Sequence, residues 1–492
     1  MCCIEVSRRD FVRIMPAAMA APAGKPWAPD RWDPRRDFYT KAKPLTVQPV
    51  LMYATPERRE MASWKSWGGV QTEQAAADEA ARIAAELRTL ASGAGFGLEI
   101  LPAAKVKDAE AAARAKQSAA DVTVIYPAAG SGALLRALIP AERDAIVFVR
   151  HRSGPVYYWY EALSVRYLKS AETPRLTVED VVVDEAQELR WRLRALWAAK
   201  NCRGTRIVAL GGARGKYAAE APKVARERFA FDIAEVFYED FEKRIRGALK
   251  DPARGALARR WAERYLAMPG TALETERKFV ENAFVLYGAF MDLMEETGAA
   301  AFTIGSCMGT IMPMAETTAC LTLSLMNDEG TPAFCESDFV IIPAGLLLRH
   351  IAGQPVFLHN STFPHNAMVT CAHCTAPRRM NGARYEPARI LTHYESEFGA
   401  APKVEIPAGQ EVTFIDPEYA TARWVGMRGV VERNPFYDIC RSQQDVRILG
   451  DWKRLLNEAR DSHWVMAYGN WLRETAYAAR RFGLTFEMIS ES

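Results

Sequence analysis

From residue 45 to about residue 350 the chain alternates short apolar runs with helix-length segments, and beyond 350 that alternation stops. This feature constrains the fold most, because strands joined through helices run parallel in a sheet that the helices cover. Residues 45–53 read as a strand, 72–92 as an Ala-rich helix, 97–101 as a strand and 108–120 as a helix. Strands are then expected at 121–126 and 145–149. The pattern restarts with a strand at 205–210, the loop Gly211-Gly212-Ala213-Arg214-Gly215-Lys216, a helix, a strand at 231–237 and a helix from Glu239. Helices at 257–265 and 273–296, a strand at 300–304 and a helix at 317–326 complete it, followed by a turn at 327–330. After 350 come short β-type segments at 355–359, 367–371, 388–394, 411–415, 421–428 and 430–433, then helices at 446–456 and 471–482. The expected fold is α/β, with two doubly wound parallel-sheet (Rossmann-like) domains at 45–172 and 173–345, followed by a β-rich α+β C-terminal domain at 346–492. The Pro-, Trp- and charge-rich stretch 24–44 reads as a linker lying on the surface.

Composition narrows the function. Lys plus Arg number 63 against 60 Asp plus Glu, for a formal charge of +3, with 49% hydrophobic and 25% charged residues over 492 positions. That balance excludes a disordered chain and a strongly cationic nucleic-acid binder. No run reaches the ~20 apolar residues of a membrane span, so neither nucleic acid nor membrane is an expected partner after processing. At the N-terminus, Ser7-Arg8-Arg9-Asp10-Phe11-Val12-Arg13 precedes an uncharged apolar run at 14–23. This resembles a twin-arginine export signal (1–23), with Ala18-Met19-Ala20 as a small-x-small cleavage site, and implies a periplasmic or exported protein that folds before transport. The alternative is an exposed basic turn ahead of a surface helix. Of nine cysteines, Cys2 and Cys3 would leave with the signal. The remaining odd, scattered set reads as packing thiols. In Cys371-Ala372-His373-Cys374, Thr375 stands where haem attachment needs histidine, and a structural zinc site lacks a second pair.

The chemistry concentrates in the second half. Seven histidines occur; His359, His365 and His373 fall close together, and His463 lies near the end. Upstream, if 333–338 is a short strand, Glu336 and Asp338 project to one face. Neighbouring carboxylates repel unless a cation or proton lies between them, and the apolar run 340–348 puts at least one at a core edge. Such a carboxylate is capped, salt-bridged or metal-bound. The loop 211–216 has neither dinucleotide nor P-loop spacing; it reads as a tight turn before a helix N-terminus, with phosphate binding as the alternative.

The segments 320–325, Asn327-Asp328-Glu329-Gly330, Pro332-Ala333-Phe334-Cys335-Glu336-Ser337-Asp338, Leu347-Leu348-Arg349 and Gly353-Gln354-Pro355-Val356-Phe357, with 369–377 and 463–469, resemble the L-fucose isomerase and L-arabinose isomerase superfamily. Ser63-Trp64-Lys65-Ser66-Trp67-Gly68-Gly69-Val70-Gln71-Thr72 is similar to a fucose-isomerase-like segment. The resemblance implies a metal-dependent aldose–ketose isomerase working through a cis-enediolate on a free monosaccharide. Its divalent ion would be Mn²⁺, or another such as Mg²⁺ or Co²⁺. It places Glu336 as metal ligand and proton shuttle, His463 as the late imidazole ligand and His373 as a further ligand, with Asp338 assisting. Where a second carboxylate is expected, Asn360 stands; its carbonyl oxygen can face a cation but cannot act as a base. Trp64 and Trp67 are implied sugar contacts, with His359 beside them, and a homo-oligomer, trimer or hexamer, is implied. The departure at Asn360 keeps two other classes open: a non-catalytic carbohydrate-binding or sensor protein, and a metal-assisted epimerase or lyase.

Overall fold

The structure is a computed structural model and describes residues 26–38, 42–151, 156–169, 176–418 and 422–491. The twin-arginine segment lies outside the described residues. The protein is mixed α/β, with parallel-sheet regions and a C-terminal antiparallel β-barrel, and it divides into two compact units, 42–200 and a second that joins 201–492 to the N-terminal stretch. Among the described residues no helix is long and apolar enough to cross a membrane.

In the 42–200 unit, β1 (Leu45–Met52), β2 (Leu98–Ile100), β3 (Ala104–Val106), β4 (Val122–Pro127), β5 (Asp144–Val149) and β6 (Val181–Val183) form one sheet, ordered β2-β1-β4-β5-β6 with β3 also beside β1. Every pairing is parallel. Strands β1 and β4 are buried almost throughout, which is why they read as continuous apolar runs. The helix Glu73–Ser92 starts where the Thr72 side chain accepts the Ala75 N–H, and it buries Ala76, Glu79, Ile83 and Leu87 at helical spacing. The buried Glu79 is matched by Arg150 at 2.7 Å.

The second unit begins with β7 (Arg206–Leu210) and β8 (Asp232–Val236), continues through β9 (Thr271–Leu273), and then adds β10 (Ala301–Ile304) and β11 (Ala333–Phe334). Its parallel sheet has the order β11-β10-β7-β8. The chain leaves β7 towards β8 on one side and returns to β10 on the other, so the strand order reverses between β7 and β10, the position at which such sheets place their binding loops. Residues 26–38, expected on the surface, lie there for the most part, but Trp27 and Trp32 are buried in the core. Trp27 stacks on Trp261 at 6.0 Å, and Trp32 meets Phe284 edge-on at 4.8 Å. Gly288 makes room for this, since a Cβ there would lie 2.5 Å from the Trp27 indole. Two indoles carry too much apolar area to be left in water.

The C-terminal part contributes β12 (Phe357–Ser361), β13 (Met368–His373), β14 (Ala388–His393), β15 (Phe398–Val404), β16 (Glu411–Glu418), β17 (Arg423–Arg433), β18 (Ser442–Leu449), β19 (His463–Tyr468) and β20 (Thr485–Met488). Strands β16-β19-β12-β13-β18-β17 pair in that order, and β17 pairs back to β16, closing a ring of antiparallel strands. β20 joins β17 from outside, and β9, β14 and β15 form a small separate sheet. The register places Phe357, His359, Phe414, Val446, Trp464 and Met466 on the inner face, so the barrel is filled with side chains. Its outer face at β19 and β16 is covered by the fully buried helix Ile342–Ala352.

Several local expectations are corrected. The helix expected at 446–456 is strand to Leu449 and helix only over Trp452–Glu458, because apolar residues facing a barrel interior satisfy a two-residue period as well as a helical one. The segment 333–338 is strand only at Ala333–Phe334. Residues 271–273 pair with β14 before the helix Arg277–Thr297 begins, and the helix expected at 317–326 is Cys320–Asp328, ending in the expected turn.

Candidate metal centre

The site is built at the carboxyl ends of β7, β10 and β11. The registers align Leu210 with Ile304 and Thr303 with Phe334, so the loops that follow them emerge side by side. After β7, Gly211 and Gly212 take φ of +83° and +86°, conformations glycine adopts freely. A Cβ at Gly211 would lie 2.6 Å from the Tyr238 ring and 2.8 Å from the Gly305 carbonyl oxygen. Gly211→Ala is therefore expected to destabilise the protein by about 2–3 kcal/mol, through strain and overpacking; a loss in urea unfolding below about 0.5 kcal/mol would contradict this packing.

After β11, Glu336 and Ser337 adopt left-handed φ of +63° and +53°. Such residues cost of order 1 kcal/mol each and persist only where surroundings hold them. Here the loop after β7 does so. The Ser337 hydroxyl donates to the Gly212 carbonyl at 2.7 Å, and the Arg214 and Phe339 N–H groups bond the opposing chain. Asp338, 1% exposed, accepts the Lys216 and Val340 N–H groups through Oδ1, at 2.9 and 3.1 Å. This turn, not a strand, brings Glu336 and Asp338 to one place.

Both carboxylates meet histidines from the barrel. His463, fully buried at the start of β19, gives its Nδ1–H to Asp338 Oδ2 at 2.7 Å, which leaves Nε2 facing Glu336 Oε2 at 3.6 Å. His373, at the end of β13, shares a hydrogen bond between Nδ1 and the Thr375 hydroxyl at 3.1 Å and turns Nε2 to Glu336 Oε1 at 3.7 Å. Both rings are thus oriented from behind, the arrangement that fixes an imidazole as a metal ligand. One donor atom from each of Glu336, His373 and His463 lies within 4.8 Å of the others. Donors bound at ~2.0–2.2 Å to one ion sit roughly 3.0–3.6 Å apart, so a small inward movement suffices, and this cluster could hold a metal ion.

The three groups set one another's protonation. Burial opposes ionisation of Glu336, but the hydrogen bonds and charges of His373 and His463 outweigh it and hold the carboxyl well below its usual range. Burial also disfavours the His463 imidazolium; Asp338 and Glu336 favour it more strongly, and its pKa is pushed up to about 9. The Lys216 ammonium lies 3.0 Å from Nε2, a contact that only the neutral ring accepts, since two N–H donors cannot share it. For His373 burial prevails over Glu336 and lowers the pKa.

The other expected residues fall in different places. Asn360 lies directly across from His463 in the strand register, and across from Ala372 on its other side. His359, expected among the sugar contacts, is fully buried inside the barrel against Phe414 and Trp464, and burial takes its pKa down to about 3. His365 is exposed, bonding the Phe363 carbonyl. Trp64 and Trp67 belong to the 42–200 unit, where the half-exposed Trp67 stacks on Tyr158 at 5.8 Å. The thiols of Cys371 and Cys374 are buried and free. Sequence reasoning missed Lys216 and Thr375. The signal for Lys216 was its glycine loop, which follows a buried parallel strand where such sheets bind ligands. A comparison with protein-family models finds no match for this chain, and a comparison with curated proteins finds none either.

Proposed function

We propose that this chain is a metal-dependent aldose–ketose isomerase of the fucose/arabinose isomerase type, with Mn²⁺ as its ion and a free monosaccharide as its substrate. The observation that carries the reading is the orientation of two imidazoles, each tied back through Nδ1 and each presenting Nε2 to Glu336. On this reading the two parallel sheets are two Rossmann-like domains. The chain is exported through the twin-arginine pathway and assembles as a trimer or hexamer, with Trp64 and Trp67 contributed as sugar contacts to a neighbouring subunit's site.

Glu336, His373 and His463 would hold the ion, with Asn360 beside His463 offering a neutral oxygen. When bound, the ion supplies Lewis-acid polarisation of the sugar oxygens. The residues supply the rest. Glu336, kept ionised, takes the proton as the C2–H bond breaks and returns it as the C1–H bond forms, while a proton passes from the C2 hydroxyl to the former carbonyl oxygen. Asp338 holds His463 in the tautomer that turns the Nε2 lone pair towards Glu336. Asn360 favours a second reading, sugar binding without turnover, because it removes a carboxylate that the isomerase pattern places there.

Protein stripped with chelator and titrated with Mn²⁺ should take up about one ion per chain and then convert an aldose to its ketose. Affinity should fall as pH is lowered, because His463 must be without its Nε2 proton to bind the ion. Failure to bind Mn²⁺ stoichiometrically would end the metal reading. Mn²⁺ and sugar binding with no turnover would select the binding protein, and solvent deuterium at C2 without ketose would select the epimerase or lyase.

A further inference from the structure

Lys216 reaches the same two atoms that the ion needs. Its Nζ lies 3.0 Å from His463 Nε2 and 3.7 Å from Glu336 Oε2, and those two atoms are themselves 3.6 Å apart. The side chain is only 19% exposed, so it is packed into the centre and does not wave over it. Since Asp338 accepts the Nδ1–H, His463 has a single lone pair to offer, at Nε2. That lone pair serves a lysine N–H or a metal ion, but not both. Charge leads to the same conclusion: an ammonium and a divalent ion sharing one partly buried carboxylate repel each other strongly.

We propose that Lys216 is a built-in counter-cation which occupies the metal site in the ion-free protein and must swing out for a divalent ion to enter, so that it sets the metal affinity of the centre. This inference rests on the metal reading of Glu336, His373 and His463. The root of Lys216 is pinned, its N–H being held by Asp338, whereas its four-carbon stem can rotate about several bonds. The ammonium thereby keeps Glu336 and His463 partnered until the ion arrives, and it discriminates against cations that bind too weakly to displace it.

The test uses chelator-stripped full-length protein and Mn²⁺ alone, with free Mn²⁺ followed by electron paramagnetic resonance. Lys216→Met, which keeps the stem and removes the charge, is expected to bind Mn²⁺ at least tenfold more tightly than the parent chain, and its ion-free form is expected to melt at lower temperature. The unaltered protein provides a second measurement that does not depend on the variant folding. Reductive methylation read by mass spectrometry should label Lys216 faster when Mn²⁺ is present. Equal or weaker Mn²⁺ binding by a folded Lys216→Met, or labelling of Lys216 unchanged or slowed by Mn²⁺, overturns the proposal while leaving the metal centre in place. Absence of Mn²⁺ binding by both proteins overturns the metal reading, and this proposal with it.

Discussion

Glu336→Gln is expected to lower Mn²⁺ affinity by about 100-fold or more, equivalent to ~2.7 kcal/mol, and to abolish any turnover. The substitution keeps shape and volume but removes the charge that both imidazoles face, at 3.6 and 3.7 Å. Without it the remaining donors are neutral, and a hard divalent ion bound only by neutral nitrogens loses its main electrostatic attraction. The loss cannot be made good locally. Asp338 is turned away, with Oδ1 committed to two backbone N–H groups and Oδ2 to His463, and Asn360 brings no charge. The variant should fold, because glutamine still accepts hydrogen bonds in the left-handed turn. Mn²⁺ titration of the stripped protein decides the matter: affinity retained within about threefold would mean that the ion, if any, sits elsewhere.

Asp338→Ala is expected to cost about 3–5 kcal/mol of stability, the range for removing one partner of a buried charged pair. Asp338 is 1% exposed and joins three separate pieces of the second unit: the loop after β7 through Lys216 N–H, the start of the helix Ile342–Ala352 through Val340 N–H, and the barrel through His463. Truncation leaves a buried imidazole donor and two amide N–H groups without their acceptor. Asp338→Asn should be far milder for folding, yet should weaken Mn²⁺ binding by about 10- to 100-fold, because the amide no longer enforces the Nδ1–H tautomer. Urea unfolding of the alanine variant that showed less than about 1 kcal/mol of loss would remove Asp338 from this keystone position.

Strand and helix positions in the parallel regions were readable because their signal is local. β1, β4, β7 and β10 are short apolar runs bounded by polar or glycine-containing segments, and the helix Glu73–Ser92 carries both its cap and its buried stripe in its own sequence. Where two periods fit, the local signal failed, as at Ser442–Leu449, which only the pairing with β13 and β17 makes a strand. The burial of Trp27 and Trp32 was equally illegible, since their partners Trp261 and Phe284 lie more than two hundred positions away.

By itself the sequence determined that Glu336 and Asp338 precede an apolar run, and that parallel regions precede a β-rich end. Only the tertiary structure decided that Glu336, Asp338, His373 and His463 meet, that a left-handed turn and not strand alternation aligns the carboxylates, that the β-rich end closes into a barrel, and that Lys216 stands among the candidate ligands. The division follows from range. Periodicity and turn chemistry act within a few residues, whereas the distance between Lys216 and His463 is set by the closing of β16 onto β17, by the register of β12 against β19, and by the loops that leave neighbouring parallel strands together.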